Sequence, residues 1–143
     1  MRYVLLFLVF ALPAHAWEVT IGPTCTLTHE MDSGDVRLTY DPRIPEYSIT
    51  VTRSAMPWAA DAPMFAMRFD GPNSGMITTD RHVLSDGGTS LTVTDRGFGN
   101  VLDGLQFNNV ATALLGNTAV VIPLANAAEP VARFRACAAL PTA

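Results

Sequence analysis

Lysine is absent from the 143-residue chain, and its nine basic residues are all arginine. Without a lysine there is no phosphate-binding P-loop, so Gly97-Phe98-Gly99-Asn100 is not read as a nucleotide site despite its glycines. The arginines are also scattered, from Arg37 to Arg135, and no concentrated basic face is legible. Nucleic acid and anionic membrane are therefore not the expected partners. Histidine is scarce too: three in all, of which His15 lies in the leader described below. His29-Glu30 opens like a zinc-protease helix, but position 33 is Ser33 rather than a second histidine, so no metal site is predicted. The Gly-x-Ser-x-Gly elbow of the α/β-hydrolases is missing as well. No catalytic, cofactor or metal residue is assigned.

Long apolar runs are nearly absent. A single run, Val4 to Leu12, follows Met1-Arg2-Tyr3 and precedes Pro13-Ala14-His15-Ala16. One positive charge, a short apolar core and small residues at the −3 and −1 positions are the order of a secretory signal peptide, with cleavage expected between Ala16 and Trp17. The run is shorter than the roughly 20 residues a membrane-spanning helix needs. Residues 1–16 are thus predicted as a cleaved signal peptide and 17–143 as one exported domain, periplasmic or secreted from a Gram-negative cell and not inserted in the membrane. Loss of Arg2 with the leader leaves eight arginines against thirteen acidic residues, a net charge of −5.

Cysteine is equally sparse. Only Cys25 and Cys137 are present, and an even pair in an exported chain predicts a disulfide. If the chain stayed in a reducing compartment, both would be buried thiols instead. A bridge between residues so far apart restricts the unfolded chain by about 4 to 5 kcal/mol, comparable to the whole net stability of a small domain.

Strand patterns dominate what is present. Val36–Tyr40 and Tyr47–Thr52 alternate apolar with polar, separated by the proline-broken Asp41–Pro45. Phe65, Met67 and Phe69 form a third one-sided stripe, closed by the turn Asp70–Asn73. Met76–Leu84 and Thr89–Thr94 read as strands joined by Ser85-Asp86-Gly87-Gly88, whose Asp-Gly-Gly supplies the positive φ of a tight hairpin. Asn100–Leu105 reads as a short helix with Val101, Leu102 and Leu105 on one face. Asn108–Gly116, with a capping residue in front and a glycine behind, reads as another. Thr118–Leu124 is a further strand. Asn126–Ala139 is predicted as a helix capped by Asn126, with a final strand as the alternative. The expected fold class is mainly β, a β-rich α+β domain whose antiparallel sheet forms a sandwich or partial barrel with short C-terminal helices.

Three features bear on function. Trp58, flanked by Met56 and Met64 in a proline-framed loop, suits either an apolar anchor for protein binding or a lid folded onto the core. Trp17 suits a cap on the sheet's end. The echo between Thr79-Asp80-Arg81 and Thr94-Asp95-Arg96 suits either surface ion pairs on two strands of one hairpin or a shared polar site at one sheet edge. His29, Glu30, Asp32 and Asp35 gather acidic oxygen near one turn without the spacing of a calcium loop.

Cys25-Thr26-Leu27-Thr28-His29-Glu30, Tyr40-Asp41-Pro42, Phe65-Ala66-Met67-Arg68-Phe69-Asp70-Gly71, Thr94-Asp95-Arg96-Gly97-Phe98-Gly99-Asn100 and Phe134-Arg135-Ala136-Cys137 lie within residues 17–137. Together they resemble a group of small exported proteins of unknown function from marine and photosynthetic proteobacteria. Some members of that group are labelled as the helicase component of excinuclease ABC, a DNA-repair function that this chain, with no nucleotide-binding loop or helicase motif, is not expected to share. The order of elements is also similar, at the level of pattern, to the invasion-associated locus B family of envelope proteins. The function expected is a non-enzymatic module binding a protein or envelope component. Inhibition of an envelope hydrolase or protease is one alternative, and a small hydrolase using His29 or His82 is another.

Overall fold

Alternation carries directly into three dimensions. In the computed structural model, which describes Leu8 and residues 16–139, strands β1 (Glu18–Thr20), β2 (Cys25–Met31), β3 (Gly34–Asp41), β4 (Glu46–Arg53), β7 (Val83–Ser85) and β8 (Ser90–Asp95) form one antiparallel sheet. Its order is β1-β2-β3-β4-β8-β7. Strands β5 (Phe65–Asp70), β6 (Gly75–Thr79), β9 (Val110–Leu115) and β10 (Thr118–Pro123) build a second antiparallel sheet, in the order β10-β9-β5-β6. Neither sheet closes on itself, and the two antiparallel sheets with two helices make the molecule a sandwich-like β-rich α+β fold, the fold class expected.

Register explains the layering. Leu27, Leu38, Ile49 and Val93 pair in one row across β2, β3, β4 and β8, and Val36, Val51 and Leu91 in the next. Both rows turn inward, and Leu27, Val36, Leu38, Val51 and Leu91 are fully buried. The alternate residues carry hydroxyls that bond across the strands: Thr39 with Ser48, Thr50 with Thr92 and Thr52 with Ser90, at 2.6 to 2.9 Å. The opposing sheet sets large side chains beside small ones, Phe69 beside Ala111 and Met67 beside Ala113, which lets the inner face fill evenly.

Two helices cover one end of the sandwich. Helix α1 (Gly99–Gln106) buries Leu102 and Leu105, and at Gly104 the Phe69 ring comes so close that a Cβ would clash with it. Helix α2 (Ala128–Ala138) buries Val131, Phe134 and Cys137, spaced three apart on one face. Cys137 is bonded to Cys25 at the head of β2, with a Cα separation of 6.3 Å, so the predicted disulfide is present. Arg135 of α2 donates to Asp103 and Gln106 of α1 at 2.7 and 3.0 Å, joining the helices.

Three expectations are corrected. Asn108–Gly116 is not a helix: Val110–Leu115 is the strand β9, with Gly116-Asn117 as a two-residue hairpin turn to β10 and Gly116 at φ +59°. Gly-Asn between apolar runs is a hairpin pattern as well as a helix stop, and β9 is buried on both faces at Thr112, so period-two alternation is masked. Asn126 does not cap α2; it sits at φ +62° ahead of Ala127, which holds the cap position without a side-chain bond. Met76–Leu84 is not one strand. Asp80–His82 interrupts it, and β6 and β7 lie in different sheets. The β7–β8 hairpin itself forms as expected, with Asp86, Gly87 and Gly88 all at positive φ.

Candidate functional site

Because Asp80–His82 carries the chain from the edge of one sheet to the edge of the other, β6 and β8 flank the same side of the sandwich. Strand β7 pairs only with Ser90–Thr92, from Val83↔Thr92 to Ser85↔Ser90. The outer edge of Val93–Asp95 is left without a strand, facing β6, itself the last strand of its sheet. Between them runs a cleft of about 390 Å³, closed at one end by Gly97–Val101 at the start of α1. Its floor is apolar, formed by Ile49, Phe65, Met67 and Phe98, and its walls are Ile77 and Val93. Its rim is polar. Arg81 approaches Asp95 at 3.8 Å across the mouth, Arg81 is largely exposed, and Thr78, Thr79 and Thr94 complete the border.

The Thr-Asp-Arg echo therefore has a different origin from that of a single hairpin. One copy begins at the end of β6 and runs into the crossing, the other ends β8 in the opposite sheet, and Arg81 of the first meets Asp95 of the second. A pair this exposed contributes under about 1 kcal/mol to stability. It marks where the two edges converge.

The other predicted residues are placed elsewhere. Trp58 is 2% exposed; its indole N–H donates to the Val51 carbonyl at 3.1 Å and its ring meets Phe65 edge-on. Of the two roles weighed for Trp58, the indole has the position of the lid, and it is not a surface anchor, because its loop is held down by the Trp58 N–H to Gly88 carbonyl bond of 2.8 Å. Met56 and Met64 do remain exposed. Ala16 is exposed and Trp17 buried, its ring stacked on His29 at 4.5 Å. The rest of the expected signal peptide lies outside the described residues, apart from Leu8.

The histidines do not converge. His29 is on β2 and His82 stands just ahead of β7, with β3, β4 and β8 between those strands, a separation on the order of 19 Å at the usual strand spacing. His29 borders a shallow second depression with Glu30, Asp32 and Val121, while His82 rests against the Phe65 ring at 6.5 Å. Among the described residues, no group of three or more His, Cys, Asp or Glu side chains could hold a metal. At the start of β3, opposite Glu30 of β2, Asp35 has its carboxyl raised above its ordinary value by burial and by the charge of Glu30, with Arg37 opposing.

Beside the cleft, Tyr47 stacks on Phe98 at 5.3 Å and meets Tyr40 at 4.4 Å. Burial, reinforced by Tyr40 and opposed by Arg135, raises its phenol above the ordinary value. No protein family, no characterised protein and no solved structure matches the chain. The geometry alone carries the functional reading. Among the described residues no helix is long and apolar enough to cross a membrane.

Sequence reasoning found Arg81 and Asp95 through the echo but missed Ile77, Val93 and Phe98 as cleft residues. Each reads as ordinary core in a strand or before a helix. Only the early end of β7 turns them into a wall and a floor.

Proposed function

We propose that the chain is exported, trimmed after Ala16, and serves in the periplasm or outside the cell as a non-enzymatic module that binds a protein or envelope component through the β6–β8 cleft. The observation that carries this reading is the cleft itself: an apolar floor of Ile49, Phe65, Met67 and Phe98 beneath a polar rim, where both sheets present an edge to the same opening. Apolar depressions ringed by a few polar groups are the usual form of a binding site. The separation of His29 from His82 favours binding over hydrolysis. The disulfide suits an oxidising compartment.

Two measurements test it. Amino-terminal sequencing of the protein recovered from a Gram-negative host should begin at Trp17. A photo-crosslinking amino acid placed at Thr78, on the rim, should capture a component in living cells, while the same group at Val121, exposed on the opposite edge of that sheet, should not. Equal capture from both positions, or from neither, would remove the cleft as the site.

A further inference from the structure

The edges of a β-sandwich are its reactive backbone, and here they are not alike. Strands β1 and β7, the edges of the larger sheet, are three residues each. Of the smaller sheet's edges, β10 ends in Pro123 and has the β2–β3 turn beside it, Val121 and Pro123 sharing a depression with Met31, Asp32 and Ser33. Strand β6 has neither restraint. Gly75-Met76-Ile77-Thr78-Thr79 contains no charge and no proline, the two devices that most often keep an edge from pairing. Its neighbour β5 bonds only one side, so alternate N–H and C=O groups of the other side point along the sheet plane toward the cleft mouth.

We infer that β6 is a docking edge for an extended peptide of another protein, which adds as a further strand to the smaller sheet and lowers alternate side chains into the cleft. This rests on the proposed cleft site and specifies its occupant. Main-chain bonds would supply affinity, and the pocket would supply selectivity, as in other cases of strand addition. Ile77 and Thr79 turn inward while Met76 and Thr78 face out. An incoming strand therefore places its inward residues beside Ile77 and toward Val93 across the cleft, where apolar or β-branched side chains fit best. A second copy of the chain is the poorer occupant. A five-residue edge paired with its own image buries far less than the roughly 800 Å² per partner of a stable assembly, whereas a peptide also fills the cleft.

The experiment is selection of a phage library of random peptides on the intact disulfide-bonded protein, followed by binding of the enriched peptide in synthetic form. Methylating its backbone nitrogens one at a time should weaken binding about tenfold at alternate residues, where an N–H bond to β6 is lost, and little at those between. The peptide should also slow hydrogen exchange within Gly75–Thr79. Ile77→Ala should reduce affinity by shortening the wall. Binding that responds to Ile77→Ala but not to methylation overturns strand addition and leaves the cleft site standing. If no peptide is enriched, or the enriched ones protect a different segment, strand addition fails, and crosslinking from Thr78 against Val121 decides the cleft site separately. Sedimentation as a dimer that Met76→Lys dissociates would make the occupant a second copy and overturn the inference.

Discussion

The two lateral sides of this sandwich are finished differently. On the β1–β2 side the larger sheet is covered by α2, pinned by the Cys25–Cys137 bond, and capped by Trp17 on His29. On the β6–β8 side a three-residue β7 stops short, and apolar groups continuous with the core line an opening. One side carries the bridge and the helix, the other the opening. A small domain has too little core to be equally tight everywhere, and binding surfaces are drawn from its less stable parts.

The largest effect expected follows from removing the bridge. Cys25→Ser with Cys137→Ser frees a loop of sequence separation 112 and should cost about 4 to 5 kcal/mol, measured by urea unfolding. An unchanged midpoint would mean that α2 holds the covered side unaided. Next comes a matched pair of truncations. Phe134→Ala, at a fully buried ring, should cost about 3 to 5 kcal/mol, whereas Ile77→Ala in the half-buried cleft wall should cost only about 1 kcal/mol. Equal losses would erase the distinction between the two sides. Gly104→Ala places a methyl against the Phe69 ring and should cost about 1 to 3 kcal/mol by overpacking, read as a lowered thermal midpoint.

The smallest effect is one of pH. Asp35 is raised by burial and by Glu30, so its contribution to stability is fully present below the unfolded value and is lost as pH rises through the folded one. Asp35→Asn should match the parent in acid and become slightly more stable than it toward neutral pH. Comparison of thermal midpoints across that range checks the sign; a variant less stable at neutral pH would contradict it.

Much of this architecture was legible in one dimension. Period-two stripes at Val36–Tyr40, Tyr47–Thr52 and Phe65–Phe69 predicted strands and their inward faces, Asp86-Gly87-Gly88 predicted the hairpin turn, and the two cysteines predicted each other. Legibility failed where one local pattern serves two structures. Asn108 looked like a helix cap and is instead a buried bridge, bonded to Asn73 and to the Gly104 carbonyl at 2.8 to 3.0 Å. Gly116 looked like a helix stop and is a hairpin turn. Trp58 read as a lid ahead of an anchor, and local sequence could not decide between them because burial depends on which surface its loop meets.

Local chemistry, then, was enough to specify the strands with period-two alternation, the facing of their side chains and the candidate bridge, since alternation, turn conformation and thiol pairing are properties of neighbouring residues or of rare residue types. Which strands share a sheet was settled by assembly. Asp80–His82 gives no local sign that it crosses from β6 to β7, and nothing in Val83–Ser85 foretells that pairing ends at Thr92. The cleft exists because the edges of two different sheets stop in the same place, and that coincidence is a property of packing between sheets, with no counterpart in the order of residues.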